Sequence, residues 1–144
     1  MLKEYPCVQI APGTWEINEF DGVSMFLLVG ETRALLIDTG VGIGDLSAFI
    51  RTLSNLPLDV LIAHNHRDHA GGAAAFEKVY ISSLDAKMGP MLRPLTAWES
   101  RLQFAKHTCE VHPDREYPWT EGDLPVFDKE PEVICIEEIG RAHV

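Results

Sequence analysis

His64-Asn65-His66-Arg67-Asp68-His69 places three imidazoles and a carboxylate within six residues. At this chain's own frequencies (6 His and 9 Asp in 144 residues), a chance H-x-H-x-D-H match has a probability of about 0.0006. The segment follows Leu58 to Ala63, a short apolar run rich in branched residues that predicts a buried strand. In extended backbone, side chains at i and i+2 point the same way, so His64 and His66 are expected to converge on one cation. The chain then turns, which lets Asp68 and His69 face a second position. Gly71-Gly72 allows close backbone packing where that turn leads on. Imidazole with carboxylate suits zinc, with iron or manganese as alternatives, and no thiolate is implied. Surface histidines on a loop are the plain alternative, but four donors at a strand end argue against it.

Upstream, Thr14 to Asn18 predicts a first strand, and Val23 to Val29 with Ala34 to Ile37 a hairpin turned by Gly30-Glu31-Thr32-Arg33. The second strand of that pair ends at Asp38-Thr39-Gly40, followed by the glycine-rich loop Gly40-Val41-Gly42-Ile43-Gly44. Leu46, Phe49, Ile50 and Leu53 then fall at helical spacing, with Asp45 placed to cap the start and Pro57 beyond the end. Downstream, Gly71 to Phe76 predicts a short helix and Val79 to Ile81 a strand. Thr96 to Lys106 has the capping-box spacing of another helix. Four prolines (113, 118, 125 and 131) then interrupt an acidic stretch, in which only Val133 to Ile136 predicts a strand.

The length implies one domain. At 46% hydrophobic and 24% charged, the composition is globular. The net charge of −10 makes nucleic acid an unlikely class of partner. Ten of the 22 acids lie between Thr108 and Glu138, which reads as a solvated face or as a surface repelling anions. No apolar run reaches the roughly 20 residues of a membrane span. Met1 to Pro6 offers no signal-peptide core, so a cytoplasmic, membrane-free domain acting on a small molecule is expected. Cys7, Cys109 and Cys135 read as free thiols and small core residues. Oligomeric state is not encoded.

Ala34-Leu35-Leu36-Ile37-Asp38-Thr39-Gly40 and Ala63-His64-Asn65-His66-Arg67-Asp68-His69-Ala70-Gly71-Gly72 resemble the two leading motifs of the metallo-β-lactamase fold superfamily. The resemblance runs from about Gly13 to Ile81. It implies an α/β (α+β) fold, the αββα sandwich, of which this chain would be the N-terminal half. It also implies that His64 and His66 bind a first metal and that Asp68 and His69 bind a second. Zn2+ would be the cofactor, two ions per complete domain. Asp38 would support the metal site from the neighbouring strand; read without the resemblance, it is equally a strand-end turn carboxylate. Ala63 stands where the family often has Thr, which removes a hydroxyl but no ligand. The Asp68-His69 pair resembles the thioesterase, lactonase and general hydrolase branches, and the β-lactamase branch that keeps the histidine stays open.

The resemblance implies a zinc-dependent hydrolase in which a metal-bound hydroxide attacks the carbonyl of an ester, thioester or lactone. Asp68 would be the catalytic carboxylate. A diiron or other metal-binding relative is the alternative, and a non-catalytic fragment a third reading. The family's later His, Asp and His have no counterpart in register, and His107 and His112 lie in what reads as irregular chain. The chain as given is therefore expected to be inactive alone. Glu138-Ile139-Gly140-Arg141-Ala142-His143-Val144 matches the translation of a sequencing adaptor, so residues 1–137 are expected to be a partial domain and 138–144 an adaptor-derived tail. His143 is then no ligand. Trp98, Phe104, Tyr117 and Trp119 divide between core packing and a substrate lid.

Overall fold

Antiparallel strand pairing at the start of the described chain sets the sheet. The computed structural model describes residues 4–87, 98–117 and 119–137. Its seven strands lie side by side in chain order: β1 (Cys7–Ala11), β2 (Thr14–Glu19), β3 (Val23–Val29), β4 (Ala34–Ile37), β5 (Leu58–Leu61), β6 (Lys78–Ser82) and β7 (Glu132–Ile136). The first four are antiparallel neighbours, and β4 through β7 run parallel. The switch comes at α1 (Leu46–Leu53), the crossover between β4 and β5.

Each connection has a local cause. Gly30 N–H donates to Arg33 O at 2.8 Å and closes the β3–β4 turn. At the β2–β3 turn, Phe20 and Asp21 take φ of 50° and 62°. The Asn18 side chain holds that turn by accepting from Asp21 N–H at 2.6 Å. Asp45 caps α1 by accepting from Ala48 N–H at 3.1 Å, and Leu46, Phe49 and Ile50 are buried. They pack with Ile17, Met25, Leu27, Leu36, Val60, Val79 and Ile81, one inward-facing row from five strands. Ala105 of α4 (Trp98–Val111) joins the same cluster. The described residues therefore form one sheet with helices on one face, a single α/β layer pair.

Among the described residues, the other face carries mostly apolar side chains that are only partly buried, with the Asp59 carboxylate among them. By register, Leu28 aligns with Leu35, Phe26 with Ile37, and Ile37 with Leu61, while Tyr80 aligns with Ile134. Leu35, Leu61, Tyr80 and Ile136 line a shallow hollow there, and Ile136 is 43% exposed. A contiguous apolar patch of this kind drives association. The chain alone is expected to bind the dye ANS in its folded state and to elute above monomer size. A dye-silent monomer in size-exclusion chromatography would contradict this.

Several sequence expectations change. β1 and the short helix α3 (Ser83–Ala86) had no clear signal, and β5 ends at Leu61 instead of Ala63. The helix expected over 71–76 starts earlier, as α2 (Arg67–Ala70), leaving only a 3-10 turn at Ala73–Ala75. α4 runs on to Val111, so His107 is helical. Thr96 and Ala97 lie outside the described residues, as do 138–144 with the expected tail and His143. Cys7 and Cys109 are only half-buried and Cys135 is exposed, so the thiols are free but are not core residues. Cys135 sits on β7, the last strand of the described sheet, where one flank has no neighbouring strand.

Candidate metal centre

Parallel strands send their carboxyl ends to one edge, where the following loops gather. Here that edge collects the chain after β4 (Asp38–Gly44), after β5 (62–66) and after β6. His64, Asp68 and His69 each bring one donor atom there, all within 4.8 Å of one another. Asp68 and His69 are half-buried on α2, and His64 is half-buried in the bend before it. His69 Nε2 lies 3.6 Å from Asp68 Oδ2, and the His64 and His69 ring centroids are 3.9 Å apart.

His66 stands differently. The backbone over 63–66 bends, with His66 N–H donating to His64 O at 2.9 Å. The period-two alternation expected of an extended segment is therefore interrupted. The His66 ring meets the His64 ring edge-on at 4.5 Å, is exposed, and lies outside the three-donor group. The structure thus gathers His64 with Asp68 and His69, where the sequence reading expected two separate pairs. Asn65, the buried residue between the histidines, docks on α3. Its N–H and Nδ2 donate to Asp85 Oδ1 and Asp85 O, each at 3.3 Å.

Asp38 is the pivot of the edge. It is buried, with φ of 67°, and its N–H continues the β4–β5 ladder by donating to Leu61 O at 2.8 Å. Its Oδ1 accepts from Ala63 N–H at 2.7 Å, and its Oδ2 lies 2.7 Å from His69 Nδ1. That contact assigns the proton to Nδ1 and turns Nε2, with its lone pair, towards Asp68 and His64. Asp38 has separate partners for its two carboxylate oxygens. It ends the strand and it orients a histidine.

Two buried charged residues had been overlooked. Glu19 is 1% exposed and accepts from Val41 N–H at 2.6 Å and from Gly42 and Ile43 N–H at 3.1 Å each. Burial pushes its carboxyl up to about 7, against the pull of those N–H groups and of Arg101. Arg101, 2% exposed, donates through Nη1 to Gly42 O and Pro125 O and lies over the Phe127 ring. A signal for Glu19 existed. It is in phase with Ile17 on β2, so alternation alone directs it inward.

A pH effect follows from the direction of that shift. From about pH 4.5 to 7 an unfolded Glu19 ionises while the folded one keeps its proton, so stability falls and then levels off above 7. About 3 kcal/mol is at stake. Urea unfolding with chelator present should show greater stability at pH 5 than at pH 8, and Glu19→Gln should flatten the difference. Equal slopes in the two proteins would contradict the assignment.

The remaining candidates lie elsewhere. His107 is exposed, 4.0 Å from Glu110, and neither it nor His112 joins a donor group among the described residues. Trp98, Phe104, Tyr117 and Trp119 all pack partly buried against the core. Tyr117 donates to Asp21 at 2.9 Å and meets the Phe20 ring edge-on.

A buried strand-end aspartate, an imidazole in contact with it and a His-Asp-His group that could hold a metal ion share one sheet edge. Residues 18–131 match the metallo-beta-lactamase superfamily, and the chain belongs to it. It is 33% identical over 72 residues to the acyl-coenzyme A thioesterase MBLAC2 of Gallus gallus, taking in 44% of this chain and 26% of that protein. Among solved structures, the metallo-beta-lactamase from Pontibacter korlensis superposes with a TM-score of 0.50 at 24% identity, over 59% of this chain and 46% of that one. The metallo-beta-lactamase from Erythrobacter litoralis gives 0.49 at 21% identity, over 64% and 47%. These likenesses concern the fold. The chain spans about half the length of these structures and about a quarter of the curated thioesterase. No described helix is long and apolar enough to cross a membrane.

Proposed function

We propose that the chain provides a zinc-binding part of a hydrolase centre acting on small carbonyl substrates, thioesters foremost. The observation carrying this is the His64, Asp68 and His69 donor group within 4.8 Å, with Asp38 on the far side of the His69 ring. Two imidazoles and a carboxylate form a borderline donor set that suits zinc, and three protein donors are the number that leaves a position open for chemistry. The three are half-buried, so ion and substrate have access from solvent. The thioester preference rests on the likeness to the acyl-coenzyme A thioesterase.

A bound zinc ion supplies a Lewis acid and lowers the pKa of water towards neutrality. The protein's own residues do the rest. His64 and His69 would each offer a ring nitrogen to the ion, and Asp38 contacts the other nitrogen of His69, Nδ1. Asp68 sets a negative charge beside the open position, where it can accept a proton from an incoming water. Its replacement should therefore cost rate more than fold.

Since the chain alone is expected to be inactive, the test is thiol release from an acyl-coenzyme A by a longer, zinc-loaded protein that contains this chain, above the background of buffered zinc. The expected result is zinc-dependent release, abolished by EDTA and reduced about 100-fold in Asp68→Asn with its unfolding curve unchanged. Release from a lactone or simple ester but not the thioester would move the substrate class. No hydrolysis of any of the three by that zinc-loaded protein would overturn the reading.

A further inference from the structure

The glycine loop after Asp38 is tied at both ends of its path. On one side, the Glu19 carboxylate accepts three successive N–H groups, from Val41, Gly42 and Ile43. A Cβ on Gly40 would fall 2.6 Å from Glu19 Oε1, so the carboxylate sits against bare backbone. On the other side, Thr39 donates to His69 O twice, through N–H and Oγ1, each at 2.8 Å. Gly72 N–H donates to Gly40 O at 3.3 Å. Arg101 fastens the middle through Gly42 O, at 3.1 Å. The backbone of residues 39–42 is thus clamped between two buried side chains, Glu19 and Arg101, and the main chain of a metal-group histidine.

We propose that Glu19 is a positioning residue for the metal group: by holding the 41–43 loop it fixes the main chain of His69, and with it the aim of His69 Nε2. This rests on the metal reading above. Tyr5 and Arg101 are titratable groups placed around Glu19.

The experiment is zinc competition against a chromophoric chelator in four proteins: wild type, Glu19→Gln, His69→Ala and the double variant. Gln keeps the shape of Glu but turns an NH2 towards backbone N–H donors. Glu19→Gln is expected to weaken zinc binding about tenfold in the wild-type background and less than twofold in the His69→Ala background. An equal loss in both backgrounds would mark a general structural effect and overturn the inference, as would wild-type affinity in Glu19→Gln. If Glu19→Gln does not fold, hydrogen exchange in the wild type decides. Coupling is reciprocal, so zinc should slow exchange at the Val41, Gly42 and Ile43 amides; unchanged exchange there overturns the inference. A wild type that takes up no zinc would instead overturn the metal reading itself.

Discussion

Asp38→Ala is expected to lower zinc affinity ten- to a hundredfold and to cost about 2–3 kcal/mol of stability. Two separate losses add. The hydrogen bond to Ala63 N–H disappears, and alanine must occupy φ of 67°, a left-handed conformation that Asp tolerates better. The effect on zinc has another origin. Without the carboxylate at 2.7 Å, nothing holds the His69 proton on Nδ1, and the imidazole loses both its aim and part of its basicity. Asp38→Asn separates the two. The amide oxygen can still accept from one partner and the side chain keeps its shape, so stability should fall by less than about 1 kcal/mol while zinc affinity still falls about tenfold. Chelator competition and urea unfolding on both variants check this. Equal zinc affinity in wild type and Asp38→Asn would show that the carboxylate charge is irrelevant to the site.

Gly71→Ala should be among the most damaging glycine substitutions at the described residues. Gly71 has an ordinary right-handed backbone, with φ −61° and ψ −29°, so conformation is no obstacle. Space is the obstacle. A Cβ there would fall 2.3 Å from Val41 O and 2.5 Å from Arg67 O, both main-chain atoms that no rotamer change can move. Either α2 or the glycine loop must shift, and each carries part of the metal group or its support. The expected cost is about 3 kcal/mol, near 10 °C in melting temperature, with loss of measurable zinc binding. Gly122→Ala is the control, since the nearest atom to its Cβ is Thr120 Oγ1 at an ordinary 3.6 Å. Differential scanning calorimetry of the two variants should show a large shift for the first and almost none for the second.

The sheet edge that carries the candidate metal donors was legible in the sequence because its signals are local. Asp38-Thr39-Gly40 closes a strand, the histidine motif follows another, and a parallel crossover brings two strand ends to one edge. The capped helix Leu46–Leu53 was readable for the same reason, as cap and stripe lie within one short window. The spatial grouping of His64 with Asp68 and His69 was not readable. It depends on a bend at 63–66 and on α2 beginning inside the motif, where His-Asn-His carries no breaker or cap that shows it. Glu19 and Arg101 escaped for a different reason. Their partners are 22 and 59 residues away in the chain, and only the folded loop brings them together. Sequence alternation pointed Glu19 inward, but nothing local named the three N–H groups waiting there.

Zinc titration of the purified chain against a competing chelator, beside a variant carrying Ala at His64, Asp68 and His69 together, is the most direct test of the account. The account expects saturable zinc binding by the wild type and a loss of at least a hundredfold in affinity in the triple variant, with His66 left in place. Unchanged affinity in the triple variant would show that the three-donor group at the sheet edge is not where this protein holds its metal.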